Sequence, residues 1–143
     1  MFLGTHAPRL DDKGRLFLPA AYRDEVAGGV VLTKGQEHCV FVFLKADFDA
    51  RAERLRDAPL AAKRARDYSR QFFSGAYAET PDRQGRISVP PALRAWAGLD
   101  RDCVVVGAGT RLELWDAAAW AAYEAEHDEA FAELDEEVPG VLT

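Results

Sequence analysis

A chain of 143 residues holds one ordinary domain or two very small ones sharing a core, and 48% hydrophobic with 10% aromatic content excludes a disordered polymer. The most apolar run, Cys39 to Leu44, falls far short of the roughly 20 residues a bilayer span needs; with no basic start or sustained apolar core at Met1–Pro8, a cytoplasmic protein with no membrane partner is expected. The net charge of −6 speaks against a nucleic-acid partner only until it is located: residues 112–143 carry ten acidic residues and no Lys or Arg, which leaves residues 1–111 at +4.

In chain order, residues 2–9 read as a short strand, with Pro8 indicating an edge. Asp11-Asp12-Lys13-Gly14 has the Asp and Gly of a type I turn. Arg15 to Leu18 is a strand, Pro19 opens a helix over Ala20–Val26, and Gly28-Gly29 stops it. Val30–Thr33 and Cys39–Phe43 are strands around a turn at Lys34–Glu37. Helices are predicted over 46–57 and, beyond Pro59, over 61–73. The opening pattern then returns: strand Ser74–Thr80, turn Asp82–Gly85, strand Arg86–Val89, a helix from Pro90-Pro91 to Gly98, strand Cys103–Val106, a Gly107–Gly109 turn and strand Leu112–Trp115. A last helix is predicted over about 117–136, with a frayed tail at 138–143.

The return is a duplication. Residues 1–23 align with 72–94 without a gap and nine of the 23 pairs are identical, including Asp11/Asp82, Gly14/Gly85, Arg15/Arg86, Pro19/Pro90 and Arg23/Arg94. A tight turn asks for Asp and Gly but not for Arg after the Gly, so the repeated Arg is the unexplained element. An Asp four residues earlier can accept a hydrogen bond from its guanidinium and fix the fork's direction. A fixed arginine on a projecting turn suits phosphate oxygens or the O6/N7 edge of guanine. Lys13 and Arg83, inside the two turns, would add phosphate attraction. Arg23 and Arg94 read equally well as ordinary solvated helix residues. Lys13 has Gln84 as its counterpart, which ranks the second turn as the weaker contact, and Pro81 stiffens it.

Other chemistry is sparse. Cys39 and Cys103 sit beside valine runs and read as buried, reduced thiols. They and His6, His38 and His127 lack metal-ligand spacing, so neither metal nor cofactor is expected. No phosphate loop, nucleophile elbow or His-Glu metal motif is present, so an enzyme with a small-molecule substrate is not expected.

Phe2-Leu3-Gly4, Asp11-Asp12-Lys13-Gly14-Arg15 with Leu18-Pro19-Ala20, Phe72-Phe73-Ser74-Gly75-Ala76, Asp82-Arg83-Gln84-Gly85-Arg86 with Pro90, and Leu112-Glu113-Leu114-Trp115 together resemble the bacterial MraZ proteins. The resemblance implies an α+β fold: two tandem AbrB-like (SpoVT-type) β-rich repeats forming a pseudo-two-fold, β-barrel-like unit flanked by amphipathic helices. It places repeat 1 at 5–47, a helical connector at 48–75, repeat 2 at 76–119 and an acidic C-terminal helix and tail at 120–143. It implies a nucleoid-associated transcription factor that binds short direct repeats in promoter DNA and represses its own division and cell-wall gene cluster. A ring-shaped homo-oligomer, such as an octamer, is implied as well. The family's Asp-x-x-x-Arg motif falls on Asp11 and Arg15, and again on Asp82 and Arg86, with Gly14 and Gly85 inside the two turns.

Two aromatic stripes remain, Tyr68/Phe72 and Trp120/Tyr123/His127/Phe131/Leu134. They fit either packing of the two helices on each other or a surface for assembly. The alternative function is accordingly an oligomeric scaffold or protein-interaction module without DNA binding, which leaves the repeated Arg unexplained.

Overall fold

The structure, a computed structural model, describes residues 1–134. The first half of the chain runs β1 (Thr5–His6), β2 (Arg15–Phe17), a 3-10 turn at Ala20–Tyr22, α1 (Arg23–Val26), β3 (Val30–Gly35), β4 (Cys39–Leu44), α2 (Lys45–Arg56) and α3 (Lys63–Ser74). The second runs β5 (Tyr77–Glu79), β6 (Arg86–Ser88), α4 (Pro91–Ala97), β7 (Cys103–Gly107), β8 (Leu112–Asp116) and α5 (Ala117–Glu133). Residues 135–143, with the predicted tail and the last two residues of the predicted helix, lie outside the described residues.

The two halves exchange strands. Hairpins β3–β4 and β7–β8 lie side by side through β4 and β8. The opening strand of each repeat then pairs with the other repeat's hairpin, β1 with β7 and β5 with β3. The result is a six-stranded antiparallel sheet in the order β1-β7-β8-β4-β3-β5, beside a separate ribbon of β2 and β6. Leu16 faces Ile87 in the ribbon and Phe41 faces Glu113 in the sheet. Each pair joins a residue to its own repeat counterpart, which marks a pseudo-two-fold axis through both. The ladder is open, with β1 and β5 as edges, so the barrel-like closure implied by the resemblance is not seen in the hydrogen bonding.

Alternation along the strands gives the sheet two apolar faces. On one, Leu32, Val40, Val42, Val105, Leu112 and Leu114 pack with Leu16, Leu18, Ile87, Val89 and Leu93 from the ribbon and short helices. On the other, Cys39, Phe41, Phe43 and Trp115 are covered by Phe48 of α2, Tyr68 and Phe72 of α3, and Trp120 and Tyr123 of α5. The aromatic stripes therefore pack onto strands: Phe72 contacts Phe43 at 6.1 Å between ring centroids, and Tyr123 contacts Trp115 at 5.1 Å. Thr33, the buried polar residue of the core, donates from Oγ1 to the Phe72 carbonyl at 2.6 Å and ties α3 to β3.

Local differences from the sequence reading have local causes. Ala20–Val26 splits into a 3-10 turn and a single α-turn, because Tyr22, at φ −103° and ψ 1°, leaves helical geometry between them. Ser74 ends α3 rather than starting a strand, since the chain closes at Gly75 through a bond to the Gln71 carbonyl. Gly98, at φ +59°, closes α4 with Leu99 N–H on the Arg94 carbonyl.

Candidate nucleic-acid interface

Both Asp-x-x-Gly-Arg turns fold alike, for the same reason. The Gly14 N–H donates to the Asp11 carbonyl (3.0 Å) and Asp11 N–H to the Arg15 carbonyl (2.8 Å), closing the turn from both sides. Gly14 at φ +78° and Gly85 at φ +83° occupy the left-handed backbone that glycine adopts without penalty. The Asp11 carboxylate then works twice. Its Oδ1 accepts the N–H groups of Lys13 and Arg15 at 2.9 Å each, and its Oδ2 accepts Arg15 Nε at 2.8 Å. Asp82 repeats the set with Gln84 N–H, Arg86 N–H and Arg86 Nε at 2.9, 2.9 and 2.8 Å. The backbone N–H of each arginine is the main influence holding these carboxyls below their ordinary value, against a smaller opposing effect of partial desolvation, with the guanidinium next. Because the aspartate takes Nε, the terminal N–H groups of each fork are left to other acceptors.

The ribbon gathers these groups onto one surface. Arg15 stands opposite Ser88 and Phe17 opposite Arg86, while Leu16 and Ile87 between them point into the core. Alternation therefore puts Arg15, Phe17, Arg86 and Ser88 together on the outer face. The two strands are antiparallel and each turn precedes its own strand, so the turns lie at opposite ends and the exposed Lys13 and Arg83 bracket the arginines. The second tip carries Arg83 where the first carries Asp12, and Asp12 sits 3.9 Å from Arg101.

Arg94 is half-buried and Arg23 exposed, yet neither simply points into solvent. Each crosses to the other repeat's turn. A Cβ placed on Gly14 would lie 2.6 Å from Arg94 Nη1, and one on Gly85 would lie 3.0 Å from Arg23 Nε. Arg23 Nη2 also donates to the Gln84 carbonyl at 3.4 Å. Arg94 Nε is buried without a hydrogen-bond partner among the described residues. The glycines are therefore required twice, for their backbone angle and to seat a guanidinium. The identity Arg23/Arg94 in the repeat was the available signal. Phe17 had one too: Leu16-Phe17-Leu18 is an apolar run in a half-buried strand, so with Leu16 and Leu18 inward Phe17 must face out.

Two consecutive stretches of the chain, residues 1–71 and 72–140, each match the family described as "MraZ protein, putative antitoxin-like". The chain belongs to the MraZ family. The break between the matches falls where the internal repeat places it. The chain is similar along its length to proteins named "Transcriptional regulator MraZ". That of Thermobifida fusca (strain YX) is 65% identical, that of Frankia casuarinae 63% and that of Leifsonia xyli subsp. xyli 60%, each over 143 residues covering 99% of this chain and 100% of the relative. Among the described residues no helix is long and apolar enough to cross a membrane, and no cluster of metal-ligating side chains occurs.

Proposed function

We propose that this protein is a transcriptional regulator that binds double-stranded promoter DNA in a sequence-specific way through the outer face of the β2–β6 ribbon. The observation that carries the reading is the pair of guanidinium groups, Arg15 and Arg86, each held by an aspartate and both on one face of a two-stranded ribbon. A ribbon of this kind fits the major groove, about 12 Å wide, where a fixed arginine fork reads guanine O6 and N7. Lys13 and Arg83 at the ribbon's ends reach the flanking phosphates, and Asp11, Gly14, Asp82 and Gly85 keep the turns in shape. The relatives' name gives the regulatory role. Short direct repeats in the promoter of the protein's own division and cell-wall gene cluster are the proposed target, with repression as the outcome.

The face opposite the ribbon suits self-assembly into a ring. Beyond Tyr123 every described residue of α5 is exposed, and Phe131, in line with Tyr123 and His127, is 75% exposed. Reading head and assembly surface would thus lie on opposite sides of the sheet, so that a ring presents several ribbons to successive repeats.

The test is Arg15→Ala, read by fluorescence anisotropy on a duplex of the upstream promoter. Loss of about five- to 150-fold in affinity is expected, since a good bidentate base contact carries about 1–3 kcal/mol of discrimination. An unchanged melting temperature shows that the fold survives. Parent binding should weaken with salt at a slope of about −0.9 per phosphate contacted. A folded Arg15→Ala protein that binds as tightly as the parent would refute this interface.

A further inference from the structure

We propose that Phe17 reads a base: on DNA, its ring takes the 5-methyl group of a thymine beside the purine contacted by Arg86. The inference rests on the ribbon being the DNA-contacting face. Phe17 is 50% exposed while Leu16 and Leu18 beside it are 1% and 3% exposed, and neither hydrophobic cluster of the molecule includes it. A large ring half exposed on a small strand, among arginines, adds to neither core. Its neighbour is specific. Phe17 faces Arg86 across the ribbon, and the Arg86 guanidinium carbon lies 5.9 Å from the ring centroid. Arg86 is thus held by Asp82 through Nε and flanked by an aromatic ring.

The chemistry of the groove selects the ligand. Base edges in the major groove offer hydrogen-bond donors and acceptors, and the one apolar group among them is the thymine methyl. A phenyl ring on the ribbon's outer face therefore has one complementary feature to meet. Side chains facing each other across an antiparallel pair stand about 5 Å apart at Cβ, more than one roughly 3.4 Å base step but less than two, so the two side chains reach neighbouring steps rather than one base pair. If Arg86 takes a guanine, Phe17 falls on the adjacent step.

The same residue gives the ribbon a direction. The repeat counterpart of Phe17 is Ser88, which faces Arg15. Around the pseudo-two-fold axis one arginine is accompanied by a ring and the other by a hydroxyl. A symmetric ribbon reads a site equally in both orientations, whereas this one distinguishes them.

The test replaces each thymine of an upstream promoter repeat, one at a time, by deoxyuridine, which removes only the methyl. Binding of the full-length parent, Phe17→Ser and Phe17→Leu proteins is measured at one salt concentration. The parent should lose about fourfold in affinity at one thymine of the repeat, the loss expected for one buried methyl. Phe17→Ser should bind thymine and deoxyuridine duplexes alike, and Phe17→Leu should keep part of the preference. If no thymine discriminates, or if Phe17→Ser retains the parent's ratio, the proposal is overturned while Arg15→Ala still reports on the interface. If the parent shows no binding to the promoter duplex, the interface itself fails and this assignment with it.

Discussion

Alanine substitution at three glycines separates backbone strain from the seating of the crossing arginines. Gly4, Gly85 and Gly14 have nearly the same φ, +82°, +83° and +78°, but different surroundings. A Cβ on Gly4 meets nothing within 4 Å; on Gly85 it meets Arg23 at 3.0–3.3 Å; on Gly14 it meets Arg94 at 2.6–3.2 Å. Gly4→Ala therefore carries only the left-handed penalty, about 1 kcal/mol. Gly85→Ala should add a few tenths as the guanidinium gives way. At Gly14 the 2.6 Å contact forces Arg94 off its seat, adding about 1 kcal/mol, the low end of the overpacking range because the obstructing atoms end a flexible side chain. With a urea m value of about 2 kcal/mol/M, the midpoint should fall by about 0.5 M for Gly4→Ala and about 1 M for Gly14→Ala, at fixed protomer concentration. Removing the obstruction is the decisive control. In an Arg94→Ala background, Gly14→Ala should fall back to the Gly4 value. If Gly14→Ala costs no more than Gly4→Ala, or if Arg94→Ala leaves the excess in place, Arg94 is not what the glycine accommodates.

The lowered pKa of Asp11 and Asp82 sets the acid behaviour of the turns. Their contribution to stability is complete above the unfolded carboxyl value of about 4 and is lost as pH falls through the lower native value. In a carbon-13 carboxyl titration, Arg15→Ala should raise the Asp11 midpoint only part of the way, because the Arg15 backbone N–H remains, and should leave Asp82 unmoved; an ordinary Asp11 midpoint in the parent would contradict the geometry. Thr33→Val keeps the shape but orphans the Phe72 carbonyl, and urea denaturation should register a loss of about 1–3 kcal/mol. Burial raises Cys103 to about 11 and Cys39 higher still. Both thiols should therefore resist a thiol reagent at pH 8 until denaturant is added, and rapid labelling of either in buffer would place it outside the core.

Much of the fold was legible because the signals were local. The β-branched Val30–Thr33 and Val104–Val106 segments, Pro90-Pro91 with Gly98, and the Asp and Gly of each turn need only their own neighbours to specify strand, helix and turn. The hydrogen bond between Asp11 and Arg15 was legible for the same reason, since four residues separate the partners. The exchange of β1 and β5 was not. A repeat says which residues are equivalent, not whether each meets its partner in its own copy or in the other, and either choice satisfies the same backbone groups. Arg23 and Arg94 follow that topology: on short helices they resemble solvated residues until the opposite turn is placed against them. The ranking of the two turns had a similar weakness. Comparing Lys13 with Gln84 favours the first turn, but the adjacent position offers Asp12 against Arg83, so the second tip is the more cationic.

The exchanged topology also bears on why the two copies share a chain. In a symmetric homodimer every change at a ribbon appears twice, so Arg15 and Arg86 would have the same neighbours by necessity. Fusion removes that necessity, while the crossing contacts preserve the shared frame: Arg94 on Gly14, Arg23 on Gly85, β1 on β7, β5 on β3. Polar and charged divergence then falls at outer positions, Asp12/Arg83, Lys13/Gln84 and Phe17/Ser88, exposed at the tips or on the outer face, while core pairs such as Leu16/Ile87 and Leu18/Val89 change within apolar types. The frame residues Asp11/Asp82, Gly14/Gly85, Arg15/Arg86 and Arg23/Arg94 are identical. A single energetic logic accounts for both sets. Each turn is built partly by the other repeat, so a change at a crossing position such as Arg94 reaches the opposite turn, whereas a change at an outer position alters what one end meets and leaves the other as it was.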